Sequence, residues 1–188
     1  MTTRPRPLLL ALLALAALVA LTGCGNRKDV VTSAETEGPY IEVGGLQYQV
    51  QISRQLNPRD TEDHAYLVGV PNAERLRPDE TWFAVFIRVK NPSADFARPA
   101  RDFEISDTQG HRYRPVAVGA DNVFAYRPTP ISPAGILPQA DSAAADGPIG
   151  GAMLLYRLTL DTLANRPLEL RIFSGSGPPR EGEVELDV

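Results

Sequence analysis

The sequence predicts an all-β fold, an antiparallel β-sandwich of seven or eight short strands, and three observations carry that expectation. Apolar and polar residues alternate in Leu46-Gln47-Tyr48-Gln49-Val50-Gln51-Ile52-Ser53, a set that only a strand gathers on one face. Trp82-Phe83-Ala84-Val85-Phe86-Ile87-Arg88-Val89 is apolar on both faces for most of its length, as a central strand of a packed sheet must be. No long amphipathic helical repeat interrupts the roughly 150 residues holding these strands, which favours two stacked sheets.

The remaining elements follow in order. Ile41-Glu42-Val43 precedes Gly44-Gly45, a two-residue hairpin turn that needs positive backbone angles. Asn91-Pro92 ends the Trp82 strand, because proline cannot donate to a ladder. Phe103-Glu104-Ile105-Ser106 and His111-Arg112-Tyr113-Arg114-Pro115-Val116 flank Asp107-Thr108-Gln109-Gly110, a second hairpin. Ala152 to Leu160 sets Met153, Leu155, Arg157 and Thr159 against Leu154, Tyr156, Leu158 and Leu160. Asp161 to Arg166 reads as one capped helical turn stopped by Pro167, followed by a strand over Leu168 to Phe173. Val184 to Val188 alternates again, as a closing edge strand would.

The N-terminus reads as a lipoprotein signal peptide. Arg4 and Arg6 precede the uninterrupted apolar run Leu8 to Leu21. As a helix that run is about 21 Å long, short of the ~30 Å hydrocarbon core. It suits a cleaved export signal better than a permanent span. Leu21, Thr22 and Gly23 then form the signal-peptidase recognition sequence before Cys24, whose thiol would accept diacylglycerol. Cleavage would remove residues 1–23 and leave acyl chains, palmitate among them, on the sulfur and the new amino group. One chain holds a protein only marginally, at about 0.8 kcal/mol per methylene, whereas two or three make the anchor effectively permanent. Cys24 is the only cysteine, so no internal disulfide can brace the fold, and stability must come from its core.

Residues 24–39 carry no sustained apolar periodicity and read as a lipidated tether of order 20 Å. The domain is expected over 40–188, with a Pro- and Gly-rich insertion at about 119–147. Arg4 and Arg6 are the only charged residues of the leader, so its removal moves the formal charge from −4 to −6. That balance disfavours nucleic acid and anionic lipid as partners.

Candidate chemistry is sparse. Arg59-Asp60-Thr61-Glu62-Asp63-His64 gathers three carboxylates and one imidazole, ligand types for calcium or zinc, without the spacing of a calcium loop. A solvated charged loop fits it better. The histidines are His64 and His111, and Met153 is the only methionine of the mature chain. A blue-copper centre also needs a cysteine thiolate, and Cys24 is committed elsewhere. Ser174-Gly175-Ser176-Gly177-Pro178-Pro179 lacks the spacing of a nucleophile elbow and reads as a turn. Trp82 and Tyr66 suit a core better than a ligand-stacking platform. The insertion suits either a partner-binding loop or a cover over an open sheet edge.

The order of motifs resembles a family of bacterial exported lipoprotein domains of unknown function with an immunoglobulin-like fold, including proteins like the secreted immunoprotective antigens of actinobacteria. The resemblance is carried by Leu46 to Ser53, Trp82 to Asn91, Asp102 to Tyr113 and Gly150 to Leu158. It implies an immunoglobulin-like strand arrangement and no shared catalytic residue or cofactor. The expectation is a non-enzymatic lipoprotein outside the cytoplasm, held to membrane lipid through Cys24 and acting on an envelope protein partner. Capture of a small ligand or divalent metal at the cell surface is the alternative.

Overall fold

The computed structural model describes residues 30–187; the leader, the Leu21-Thr22-Gly23-Cys24 sequence and the first part of the expected tether lie outside the described residues. Ten strands run in the order β1 (Ser33–Ala34), β2 (Tyr40–Val43), β3 (Leu46–Leu56), β4 (Glu80–Lys90), β5 (Asp102–Ser106), β6 (Arg112–Tyr113), β7 (Ile136–Leu137), β8 (Ala152–Thr159), β9 (Leu168–Phe173) and β10 (Glu181–Leu186). Short helices α1 (Thr61–His64), α2 (Ala143–Asp146) and α3 (Leu160–Ala164) lie between them.

One sheet has the order β1-β10-β9-β5-β6. The other runs β2-β3-β4, and the far side of β4 is lined by β8 along Glu80–Ile87 and by β7 at Val89–Lys90. Their inner faces meet in a core of Ile41, Val43, Leu46, Tyr48, Phe83, Val85, Ile87, Phe103, Ile105, Leu154, Tyr156, Leu170 and Ile172, among others. This is an all-β sandwich. Its strand order has one distinctive step: β3 and β4 are neighbours in one sheet, whereas an immunoglobulin constant domain sends its third strand to the opposite sheet.

The turns form where glycine permits them. Gly44 and Gly45 both have positive φ, 60° and 77°, as a two-residue hairpin between right-twisted strands requires. In β3 the simple alternation fails beyond Val50: a register shift around Gln51 pairs Val50 with Ile87 but Ile52 with Phe86. This bulge turns Ile52 outward to 38% exposure and Ser53 inward.

Three expected boundaries move. The second hairpin is shorter than the sequence suggests, since β6 stops at Tyr113 and Val116 donates instead to the Leu155 carbonyl at 2.7 Å. Pro115 breaks the ladder between those two pairings. Val184 to Leu186 is an interior strand, because β1 runs parallel to β10 and covers it. The segment expected as a free tether therefore joins the fold well before Tyr40: Glu42 N–H donates to Val31 at 2.7 Å and Glu183 N–H to Thr32 at 2.9 Å. The Glu37 carboxylate accepts from the amides of Ser53 and Asp187.

Two tyrosines lock the end where the sheets exchange β4 for β5. Ala100 donates its N–H to the Tyr48 hydroxyl at 2.7 Å, and Tyr126 donates to the Ala100 carbonyl at 2.8 Å. Burial pushes the Tyr48 phenol up to about 12, the Ala100 hydrogen bond opposing that shift. At the opposite end Asp107 organises the β5–β6 turn. Its Oδ1 accepts from the amides of Gln109 and His111, and its Oδ2 from His111 Nδ1 and Asn165 Nδ2.

Burial alone would raise the Asp107 carboxyl, but those hydrogen bonds from His111, Asn165 and Gln109 hold it below the usual carboxylate range. A depressed folded value means that its stabilisation is complete above the unfolded value of about 3.9 and is lost as pH falls through the folded one. Asp107→Asn is expected to cost about 1.5–3 kcal/mol at pH 7, the range for hydrogen bonds to a charged group. Urea melts of both proteins across pH 3 to 7 check this, with the gap closing at the acid end.

Candidate functional site

The acidic segment 59–64 does not assemble a ligand set. Asp60 is the N-cap of α1, its Oδ1 accepting from Glu62 N–H at 2.9 Å and Asp63 N–H at 3.3 Å. Asp63 is buried, pairs with Arg54 and accepts from the Asn57 amide at 2.8 Å. Among the described residues no three of the His, Cys, Asp and Glu side chains converge as metal ligands would. Of the three carboxylates that sequence reasoning singled out, Asp60 thus caps a helix, Asp63 closes the β3–α1 corner and Glu62 is exposed. His111 is tied to Asp107, and the Ser174 hydroxyl bonds only to Ser176 within its own turn.

The surface with functional potential lies over the outer face of the β2-β3-β4 sheet. Here Leu56, Tyr66, Leu67, Trp82, Ala84, Phe86, Met153 and Leu155 form a second core. Two long connections cover it, residues 57–79 and 116–149, and explain why β4 is apolar on both faces. Tyr66 packs edge-on against Phe86 and Phe124, with ring centroids 5.0 and 4.8 Å apart. Trp82 donates its indole N–H to Ala73 at 2.7 Å. Tyr66, Trp82 and Met153 are core residues.

Hydrogen bonds knit the two connections into one cap. Asn122 is buried, donates to the carbonyls of Tyr66 and Val68 at 2.8 and 2.9 Å, and accepts from the amides of Phe124 and Ala125. Gly119 donates to Gly69, and their α-carbons approach so closely that a side chain on either would collide with the other or with Asp121. Met153 and Tyr126 exchange backbone bonds with Phe124 and Met153, so the insertion also satisfies the free edge of β8. In the middle of the insertion, Ile131 and Ser132 accept from Asn91. Asn91 and Asn122 are the residues that sequence reading missed as organisers. The only signal was an asparagine in an otherwise uninformative loop.

The cap exposes many charged and polar side chains, Arg59, Glu62, Glu74 and Arg77 among them, and two large apolar ones. Val68 is 38% and Val123 62% exposed, and they flank the Asn122 hydrogen bonds. Beside them a groove of about 470 Å³ is lined by Leu67, Val68, Val70 and Ala73, with His64, Glu74 and Arg75 at its rim. A second cleft of about 220 Å³ lies where the insertion meets β5, between Phe103, Val118 and Tyr126. Arg127 at its edge is held by the carbonyls of Val118 and Gly119.

No family model and no curated protein matches the chain. Among solved structures it is similar to the yjhA protein from Bacillus subtilis, at TM-score 0.51 and 12% identity over 81% of this chain and 99% of that one. An uncharacterised β-sandwich protein from Clostridium difficile 630 aligns at TM-score 0.43 and 10% identity, covering 87% of this chain and 100% of that one. At such identity the Bacillus likeness shows the sandwich fold alone.

If Asp60 and Asp63 act as cap and corner, Asp60→Ala and Asp63→Asn lower the melting temperature, each by the equivalent of about 1–2 kcal/mol. Calcium or zinc at millimolar concentration shifts the wild-type melt by nothing measurable. A ligand-dependent rise lost in both variants would make the segment a metal site instead.

Proposed function

We propose that this chain is a non-enzymatic lipoprotein of the bacterial envelope, tethered through acylated Cys24 and binding a protein partner with its cap. The lipobox and the resemblance to exported lipoprotein domains with an immunoglobulin-like fold support the location. The observation that carries the binding role is the exposed pair Val68 and Val123 on a cap hydrogen-bonded into a fixed shape. A loop whose shape is already fixed loses little conformational entropy on docking. Two exposed valines on a surface that is otherwise polar can serve as apolar anchors for a partner. The groove beside them, lined by His64, Asn72, Glu74 and Arg75 as well as by apolar side chains, suits a small ligand too, and its volume falls in the ordinary range for such sites.

Two linked experiments test the proposal in native membranes. Palmitate labelling should be present in the wild type and absent in Cys24→Ala. A photo-crosslinking amino acid at position 123 should give a discrete adduct that Val68→Asp weakens by about tenfold, one charge in an apolar contact being worth 1–2 kcal/mol or more. The same group at Glu185, on the opposite sheet, should give none. Equal labelling at positions 123 and 185, or none at either, would leave the cap without a partner.

A further inference from the structure

The domain has two ends, and topology decides which one faces the membrane. β2 ends and β3 begins at the Gly44-Gly45 turn, where Gly44 donates to the Pro179 carbonyl at 2.7 Å. β9 ends and β10 begins there, and β5 starts beside Phe173. β4 also ends at this level, with Lys90 opposite Gln47. Because β1 runs parallel to β10, the chain comes into the fold from this same end. Val30 is six residues from Cys24, a reach of at most about 20 Å. Any bilayer holding Cys24 therefore lies close to the loops 91–101 and 174–180.

The chemistry of those loops is unlike that of the chain as a whole. Phe96 is 72% exposed at the tip of the first, and Val30 and Val31 are 51% and 52% exposed where the chain comes in. Lys90, Arg98, Arg101 and Arg180 are exposed around them. None of the four forms an ion pair among the described residues. Lys90 lies over the Tyr40 ring, 4.4 Å from its centroid. Among the described residues the carboxylates at this end are Asp95, Asp102 and the half-buried Glu42, with Glu181 and Glu183 already taken by Arg171. The net charge of the whole chain argues against anionic lipid, but at this end the four cations without an ion pair slightly outnumber the carboxylates Asp95, Asp102 and Glu42.

We propose that this end is a membrane-docking surface: Phe96 enters the headgroup region of the anchoring bilayer while Arg98, Arg101 and Arg180 contact the phosphates of anionic lipids. The proposal rests on acylation of Cys24. Each contact is weak, but a short tether keeps the loops at high effective concentration over the surface, so a few suffice to orient the domain. The 57–79 connection of the cap, which leaves β3 at Leu56 and returns to β4 at Glu80, is then at the end turned away from the membrane.

The test uses the full-length lipidated protein reconstituted into vesicles, with its acyl mass measured first. With brominated phosphatidylglycerol, emission of Phe96→Trp should fall by about half or more relative to the buried Trp82 background. Val68→Trp should be unquenched. Quenching of Phe96→Trp should weaken in phosphatidylcholine, at salt near 1 M, and in R98E/R101E/R180E. Acylated protein whose Phe96→Trp emission is unquenched, or is quenched no more than that of Val68→Trp, overturns the orientation alone. Quenching indifferent to lipid charge and salt overturns the role of the arginines. An unmodified Cys24 overturns the tether and the orientation together.

Discussion

A strand with no polar face has to be covered twice. In β4, Phe83, Val85 and Ile87 point into the sandwich, while Trp82, Ala84 and Phe86 point the other way, and all six are 4% exposed or less. The opposing sheet covers the first set. The second can leave water only if the connections on that side fold down over it, and burial of large aromatic and aliphatic side chains at about 1.5–3 kcal/mol each gives them reason to do so. That requirement explains why the 57–79 and 116–149 connections are ordered despite having little regular structure. It also explains Asn122: a polar side chain buried between two loops is tolerated because each of its donors and acceptors is matched, to Tyr66 and Val68 on one side and to Phe124 and Ala125 on the other.

The same cap resolves the edge problem on that sheet. β8 would otherwise show water a row of free backbone groups, an invitation to pair with another chain. Phe124, Tyr126 and Val116 take up those groups, and β7 does the same for the end of β4. On the opposite sheet β1 covers β10. The domain thus closes its strand edges with irregular segments, which leaves the side chains on the outside of those segments free for another role. Val68 and Val123 occupy that position.

Much of this was legible in the sequence. Period-two alternation located β3, β8 and β9; the two-faced apolar run located β4; and Gly44-Gly45 located the first turn. Alternation misplaced Ile52 because a bulge changes which face a residue occupies without changing its type. β10 looked like an edge because the two-residue strand that covers it, Ser33–Ala34, is too short and too polar to register as periodicity. The acidic run 59–64 looked like possible ligands because sequence shows the carboxylates but not the Arg54 guanidinium and helix N-terminus that occupy them. Half of the cap was legible, since the insertion at about 119–147 read as a partner-binding loop or a cover over an open sheet edge and does cover the edge of β8; the 57–79 half showed only as apolar residues on the outer face of β4 and β8 with nothing yet to cover them.

The most direct measurement compares two phenylalanines of β4, both fully buried, on opposite faces. Phe83 belongs to the sandwich core and Phe86 to the core beneath the cap. If the cap is an integral part of the fold, Phe83→Ala and Phe86→Ala each lower the unfolding free energy of the full chain by about 3–5 kcal/mol, in a single cooperative transition. A loss below about 1 kcal/mol for Phe86→Ala, with Phe83→Ala still severe, would mean that the cap opens freely in solution and that β4 is covered on one face only.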